Sequence, residues 1–256
     1  VVEFAAPDLD AEVRRHLEAV PPRRLALLEP DLDRGDLLDR VTRGLVAALG
    51  TPLDQMSPGL RLRDLGPDRR LAEPPFDLPL GDTRTPLPLG AVAAAVASRL
   101  PAGGVRDGFA ALAEPGAAPE VAGWLTGVAD LVVRLPDGRY AVLDHKTNRL
   151  THGRPGQIDP PQRYDQPMLL HTARHDLYML QGLLYLVALH RWLDRRDPGY
   201  DPEVHLGGFG LLFLRGMAGP ATPRDSEGRR DGVWWWAPPA EAVVAAARVL
   251  ELGVGS

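Results

Sequence analysis

Two apolar runs joined by a short turn, in GVADLVVRLPDGRYAVLDHK (127–146), decide the fold of this chain. The runs at 127–135 and 139–146 are rich in Val and Leu and meet at turn residues, which is typical of strands. The tripeptide PDG (136–138) suits a type I-like turn, because Pro presets one backbone angle and Gly adopts angles that other residues avoid. The stretch therefore predicts a β-hairpin.

Periodic apolar patterns on both sides of the hairpin predict the other elements. Residues 50–70, 101–118 and 147–162 are broken by Pro and Gly, which predicts mostly loop, and 71–80 predicts an extended edge segment. Helices are predicted at 9–19, 35–49, 88–100, 174–195 and 239–252, and buried strands at 205–216 and 233–237.

Strands and helices alternate in the second half of the chain, and this alternation predicts an α/β fold with a mixed sheet. We expect one domain over 1–256, in which a mostly helical N-terminal part at 1–118 precedes an α/β core at 119–256. Of the 256 residues, 45% are hydrophobic, which is enough for a buried core of that size.

Composition excludes several classes of protein. The chain has no cysteine, which excludes disulfides and thiolate zinc sites. It also lacks the GxxxxGK[ST] loop of an NTPase motor and the GxSxG elbow of α/β-hydrolases. No segment approaches the roughly 20 apolar residues of a membrane span, so we expect no membrane partner. The net charge of −5 argues against a surface that binds nucleic acid throughout, but it permits a local site.

The only lysine of the chain, Lys146, lies two residues after Asp144. Side chains alternate between the two faces of a strand, so Asp144 and Lys146 point the same way and His145 points to the opposite face. Asp130 is expected near the middle of the preceding strand, and pairing across the turn brings it alongside Asp144. Two carboxylates and one ammonium group are therefore expected to converge.

Two interpretations of this cluster remain open from the residues alone. One is an ion pair at a sheet edge, in which Lys146 neutralises an aspartate. The other is a metal site, because a divalent cation relieves the repulsion between two partly buried carboxylates. Such oxygen ligands suit Mg²⁺ or Mn²⁺. The backbone carbonyl of His145 could add a ligand, and Lys146 could approach a metal-bound water or a phosphoryl oxygen.

The long helical pattern after the hairpin carries Tyr178, Gln181 and Tyr185 at spacings of three and four residues, which places them on one face. One interpretation is ordinary packing, with half-buried tyrosines and a surface glutamine. The other is a functional face that contacts a phosphate backbone or orients an attacking water.

Three segments in this order carry a resemblance to a known family: GVADLVVRLPDGRYAVLDHKTNRL (127–150), YMLQGLLYLVALHRWL (178–193) and GGFGLLFLRGM (207–217). They resemble the RecB-type nuclease domains of exodeoxyribonuclease V, which belong to the PD-(D/E)xK, restriction-endonuclease-like superfamily. The resemblance is dense over about 120–218 and extends more loosely over most of the chain. It implies a restriction-endonuclease-like mixed sheet flanked by helices, with a helical N-terminal elaboration.

The resemblance also implies a role for each site residue. Asp130 and Asp144 would be ligands of a catalytic Mg²⁺, and the carbonyl of His145 would help to complete the coordination shell. Lys146 would orient or activate the nucleophilic water. Gln181 and Tyr185 would support the site and the DNA. The implied reaction is hydrolysis of a DNA phosphodiester by metal-activated water.

The implied setting is the bacterial cytoplasm, where a helicase–nuclease acts in double-strand break repair and recombination. The implied partners are single-stranded DNA unwound from duplex ends, RecC- and RecD-like subunits, and RecA. The family pattern includes one more metal-ligating His, in a GT-x-x-H segment on its first helix, and His16 is not part of such a motif. We expect that segment before Val1, in a longer chain. The alternative function is a catalytically inactive docking module for RecA or a partner subunit.

Other polar and aromatic groups receive structural interpretations. Arg191, Arg195 and Arg196 are expected to stabilise a helix C-terminus through its dipole rather than to contact DNA. Trp234–Trp236 are expected to pack in a core rather than to stack on bases.

Overall fold

The computed structural model describes residues 3–21, 33–81, 86–150 and 160–252. Its chain divides into two compact units. The first is drawn from Val1–Arg70, His145–Leu169 and Leu211–Trp234, and the second from Leu71–Asp144, Leu170–Gly210 and Trp235–Ser256. The boundary in the predicted hairpin falls directly after Asp144.

Most predicted elements are present in the described residues, whereas the loop predicted at 147–162 lies largely outside them. The helices are α1 (Leu9–Glu18), α2 (Arg34–Leu49), α3 (Leu89–Ala97), α4 (Gly104–Leu112), α5 (Gln166–His175), α6 (Tyr178–Arg196), α7 (Pro202–His205) and α8 (Ala240–Leu252). The strands are β1 (Arg70–Ala72), β2 (Pro75–Pro79), β3 (Leu87–Pro88), β4 (Glu120–Val121), β5 (Trp124–Val128), β6 (Leu131–Arg134), β7 (Tyr140–Lys146), β8 (Leu206–Phe213) and β9 (Val233–Trp236). None of the helices described here is both long and apolar enough to cross a membrane.

The central sheet has five strands in the order β1-β6-β7-β8-β9. Its β6 and β7 are antiparallel neighbours, with Leu131 opposite Leu143 and Arg134 opposite Tyr140. Two small antiparallel pairs, β2 with β5 and β3 with β4, lie outside this sheet. A mixed five-stranded sheet flanked by helices confirms the predicted α/β class, and α1 to α4 confirm the helical N-terminal part.

The turn of the hairpin forms where the sequence predicted it. The Leu135 amide donates to the Arg139 carbonyl at 2.7 Å, and the Gly138 amide donates to the Leu135 carbonyl at 3.0 Å. Gly138 has a φ of 92°, a conformation that glycine adopts without the steric cost of a side chain. The Asp137 carboxylate accepts from the Arg139 amide at 3.1 Å, which stabilises the turn further.

The strand predicted at 127–135 is interrupted. The Ala129 amide donates to the Pro74 carbonyl at 3.1 Å, and the Glu73 amide donates to the Asp130 carbonyl at 3.0 Å. These hydrogen bonds divert the chain toward β2, so β5 ends at residue 128 and β6 begins at residue 131. Asp130 therefore lies immediately before β6, and its predicted position near the middle of a strand was wrong.

The helix predicted at 174–195 is two helices, α5 and α6, separated by Asp176 and Leu177. Leu177 has a φ of 59°, in the left-handed region, and its side chain is exposed. A residue with a Cβ pays about 1–2 kcal/mol for this conformation. The junction is therefore locally strained, directly before Tyr178.

Helix α4 was not predicted, because Gly104 and Gly108 lower the helix propensity of residues 101–118. Tertiary packing overrides this propensity. The buried Phe109 ring lies 5.3 Å from the Trp236 ring, measured between centroids. Trp236 and its neighbour Trp234 are buried, which confirms the predicted core packing.

Arg191 does not act at a helix terminus as predicted. Helix α6 ends at Arg196, so Arg195 and Arg196 lie in its last turn, whereas Arg191 is only 9% exposed. Its guanidinium donates to the Ala247 carbonyl at 2.8 Å and to the Pro79 carbonyl at 3.3 Å. Burial lowers the pKa of Arg191, but the two carbonyls satisfy its donors. Arg191 therefore connects three segments of the second unit.

The first unit contains a buried ion pair. Arg230, which is buried, donates from Nε to the Asp54 carboxylate at 3.1 Å and from Nη1 to the Thr222 carbonyl at 2.9 Å. The side-chain amide of Gln166 donates to the Arg230 carbonyl at 2.8 Å and to the Val233 carbonyl at 2.9 Å. These contacts connect the three chain segments that make up this unit.

Candidate active site

The two predicted aspartates come together through the register of the hairpin. Leu131 lies opposite Leu143, so the next pair outward is Asp130 and Asp144. Directly opposite residues in an antiparallel pair have Cβ atoms about 4.5–5.5 Å apart. Asp144 is 3% exposed and Asp130 is half-buried. The structure thus places two carboxylates side by side, one of them well shielded from solvent.

Lys146 and His145 are the last residues of β7, and both are half-buried. Strand alternation places Lys146 on the face of Asp144 and His145 on the other face, as the sequence predicted. The chain beyond them is anchored within the first unit, because Nε of Arg215 donates to the Thr147 carbonyl at 2.7 Å.

Gln181 and Tyr185 share one face of α6 and are joined by a hydrogen bond. Nε2 of Gln181 donates to Oη of Tyr185 at 2.9 Å. The Tyr185 hydroxyl donates in turn to the carbonyl oxygen of Val128 at 3.2 Å. Because Val128 precedes Asp130 by two residues, this chain of hydrogen bonds connects α6 to the segment that carries the first aspartate.

The electrostatics of Tyr185 and Tyr178 place both near the carboxylates. Burial raises the pKa of Tyr185, the hydrogen bond from Gln181 opposes that rise, and the charges of Asp144 and Asp130 add to it. Burial, Asp176 and Asp144 raise the pKa of Tyr178. Both phenols therefore remain neutral at physiological pH, and neither adds negative charge to the site.

Two aromatic rings enclose the Tyr185 ring. Phe76 lies edge-on at a centroid distance of 5.7 Å, and Phe209 lies edge-on at 6.2 Å. Each needs a glycine beside it, because a Cβ at Gly127 would lie 2.5 Å from Phe76 and a Cβ at Gly182 would lie 2.2 Å from Phe209. Sequence reasoning missed these positioning residues. The available signal was a glycine inside a strand and another inside a helix, next to Gln181.

Side-chain ligands for a metal are few in the part of the chain that the structure describes. It contains no group of three or more His, Cys, Asp and Glu side chains that could hold a metal ion. The site itself contributes the carboxylates of Asp130 and Asp144, with the backbone carbonyl of His145 as the adjacent oxygen donor on β7. This donor set is composed of oxygen atoms, which favours hard cations.

The fold and the hairpin together define a class of protein. A mixed sheet flanked by helices, with D…D-x-K on an antiparallel hairpin, is the PD-(D/E)xK, restriction-endonuclease-like architecture. No family model matches the chain.

Curated relatives identify the family within this class. The chain is 39% identical over 256 residues to the RecBCD enzyme subunit RecB of Mycobacterium tuberculosis, which covers 97% of the chain. It is 36% identical over 264 residues to RecB of Mycolicibacterium smegmatis, and 34% identical over 179 residues to RecB of Escherichia coli strain K12. The chain spans about a fifth of the length of the mycobacterial relatives, 22% and 23%. Over nearly its whole length, the chain belongs to the RecB family.

Proposed function

We propose that this chain is the nuclease part of a RecBCD-type enzyme and hydrolyses phosphodiester bonds of DNA in a Mg²⁺-dependent reaction. One observation carries the proposal: the register of β6 and β7 sets Asp130 opposite Asp144, with Lys146 on the face of Asp144. The relatives support it, because they are RecB subunits of RecBCD enzymes and match nearly the whole chain.

The oxygen donors of the site fit Mg²⁺. This ion commonly keeps several waters and binds through one or two carboxylates together with substrate phosphates. Asp130 and Asp144 would supply the carboxylates, and the carbonyl of His145 would supply a third oxygen. Mg²⁺ bound there would neutralise phosphate charge and activate the attacking water, and Mn²⁺ would be a substitute.

The residues of the chain have separate tasks in this proposal. The ammonium group of Lys146 would donate to the attacking water or to a phosphate oxygen, where negative charge develops during hydrolysis. Gln181 and Tyr185 would hold the segment of Asp130 in place through the Val128 carbonyl. Because both are neutral donors, they would not repel the phosphates of the DNA.

The proposed setting is double-strand break repair and recombination in the bacterial cytoplasm. The substrate would be single strands unwound from duplex ends, and the partners would be RecC- and RecD-like subunits, with RecA as a further partner. The net charge of −5 is compatible with this setting, because partner subunits can supply the cations of a DNA channel.

Cleavage of an end-labelled single-stranded oligonucleotide with and without Mg²⁺ tests the proposal. We expect Mg²⁺-dependent products from the wild type and a loss of about 100-fold or more in Asp144→Ala, the scale of removing one group that stabilises a transition state. Asp137→Ala is the matched control, because Asp137 lies in the turn of the same hairpin and pairs with Arg139. A folded wild type that never cleaves would contradict the proposal and favour the docking module.

A further inference from the structure

The antiparallel pair of β2 and β5 has an exposed face with an unusual amount of apolar surface. Trp124 is 61% exposed and Val128 is 49% exposed. Alternation along β5 places Trp124, Thr126 and Val128 on this face, while Gly127 lies on the opposite face beside the Phe76 ring. We call residues 75, 77, 124, 126 and 128 the ribbon face. Large exposed aromatic surface of this kind marks an interaction site more often than a structural one.

The ribbon face is continuous with the candidate active site. Its last residue on β5, Val128, accepts the Tyr185 hydrogen bond through its carbonyl, and Asp130 follows two residues later. Six residues of fully extended chain span at most about 22 Å, so Trp124 lies within that distance of Asp130. A single strand of DNA advances about 3.4 Å per nucleotide in duplex geometry, which makes this distance equal to about six nucleotides.

The chemistry of the ribbon face selects which part of a nucleic acid could bind there. On β2, Pro75 lies opposite Val128 and Asp77 lies opposite Thr126, and both are exposed. None of the five residues of this face is a cation, and one is an acid, so the face does not suit phosphates. An exposed indole with Val and Pro beside it does suit the flat apolar faces of bases, which stack on aromatic side chains regardless of sequence.

We propose that the ribbon face, centred on Trp124, is a stacking surface for unpaired bases of the DNA strand within about six nucleotides of the phosphate that is cut. This inference rests on the proposed function, because the candidate active site sets where the strand runs. The substrate class is therefore single-stranded DNA, since a duplex stacks its bases on one another and offers none to the indole.

Binding in the absence of Mg²⁺ tests the inference separately from cleavage. We expect Trp124→Ala to bind a labelled oligothymidylate of about 20 nucleotides roughly 5- to 150-fold more weakly than the wild type, the scale of one lost base–aromatic stack. Trp124→Phe should retain most of the affinity. Trp192→Ala is the matched control, because Trp192 is also exposed but lies on α6 with the Arg196 guanidinium over its ring. Thermal melting checks that each variant is folded.

The outcomes separate this inference from the proposed nuclease. If wild type and Trp124→Ala bind equally well, or neither binds, the stacking surface is overturned, even where cleavage is intact. If Trp124→Ala weakens binding while the wild type never cleaves, the stacking surface stands and the nuclease fails. An oligonucleotide with one abasic position gives the location. We expect the penalty within about six nucleotides of the cut and its disappearance in Trp124→Ala. A penalty that persists in the variant would contradict the inference, as would loss of a protein partner with unchanged DNA binding.

Discussion

The hydroxyl of Tyr185 donates a hydrogen bond of 3.2 Å to the carbonyl oxygen of Val128, two residues before Asp130. This bond joins the middle of α6 to the point where the chain leaves β5. Gln181 donates to the same hydroxyl and thereby orients it. Tyr185 therefore acts on the site through the backbone that carries an aspartate, which is a positioning role.

Tyr185→Phe should reduce kcat about tenfold with little change in KM, because the ring remains but the segment of Asp130 is held less firmly. The unfolding free energy should fall by about 1 kcal/mol, the net contribution of one hydrogen bond. Tyr200→Phe is the control, because its hydroxyl bonds to His190 at 2.9 Å outside the site. It should show a similar loss of stability with unchanged kcat. An equal effect of both variants on kcat would contradict the positioning role.

The ionisation of Tyr185 should occur late in an alkaline titration. Burial, offset in part by Gln181 and reinforced by Asp144 and Asp130, raises its pKa above the ordinary 10.0. A phenol whose pKa is higher in the folded than in the unfolded protein stabilises the fold fully below pH 10. That contribution is lost as the pH rises through the folded value. Tyrosinate absorbance should therefore show a phase above pH 10 that Tyr185→Phe removes. Removal of a phase at or below pH 10 would contradict this assignment.

Gly182→Ala should destabilise the second unit. The added Cβ would lie 2.2 Å from the Phe209 ring, so α6 or the ring must shift, and overpacking of this kind costs about 1–3 kcal/mol. Gly44 lies in the middle of α2 with open space where an added Cβ would lie, so Gly44→Ala should stabilise by about 0.5–1 kcal/mol. Chemical denaturation measures both. Opposite signs are expected, and a neutral Gly182→Ala would show that the contact is not tight.

Arg191→Ala should lower the unfolding free energy by about 2–3 kcal/mol. It leaves the carbonyls of Pro79 and Ala247 without their donor and removes a buried aliphatic stem. Arg195→Ala, one turn further along α6 and exposed, should change stability by no more than about 0.5 kcal/mol. Similar losses in both variants would mean that Arg191 contributes only as a charge on the helix.

Local patterns were enough to predict the hairpin and the pairing of its aspartates, because the turn at 136–138 and strand alternation are encoded within 20 residues. The break at Asp130 was not predictable in that way, since it depends on hydrogen bonds to Glu73 and Pro74, more than 50 residues earlier. Exposure of Trp124 likewise depends on how β5 pairs with β2. The roles of the site residues remain predictions, because geometry alone does not measure catalysis.

The central claim is that Asp130 and Asp144 act as one pair of metal ligands. Isothermal titration calorimetry of the folded protein with Mg²⁺ tests it most directly, with Mn²⁺ as a second probe. We expect one saturable site in the wild type and in Asp137→Ala, and loss of that site in both Asp130→Ala and Asp144→Ala. Unchanged Mg²⁺ binding in either of the last two variants would contradict the account.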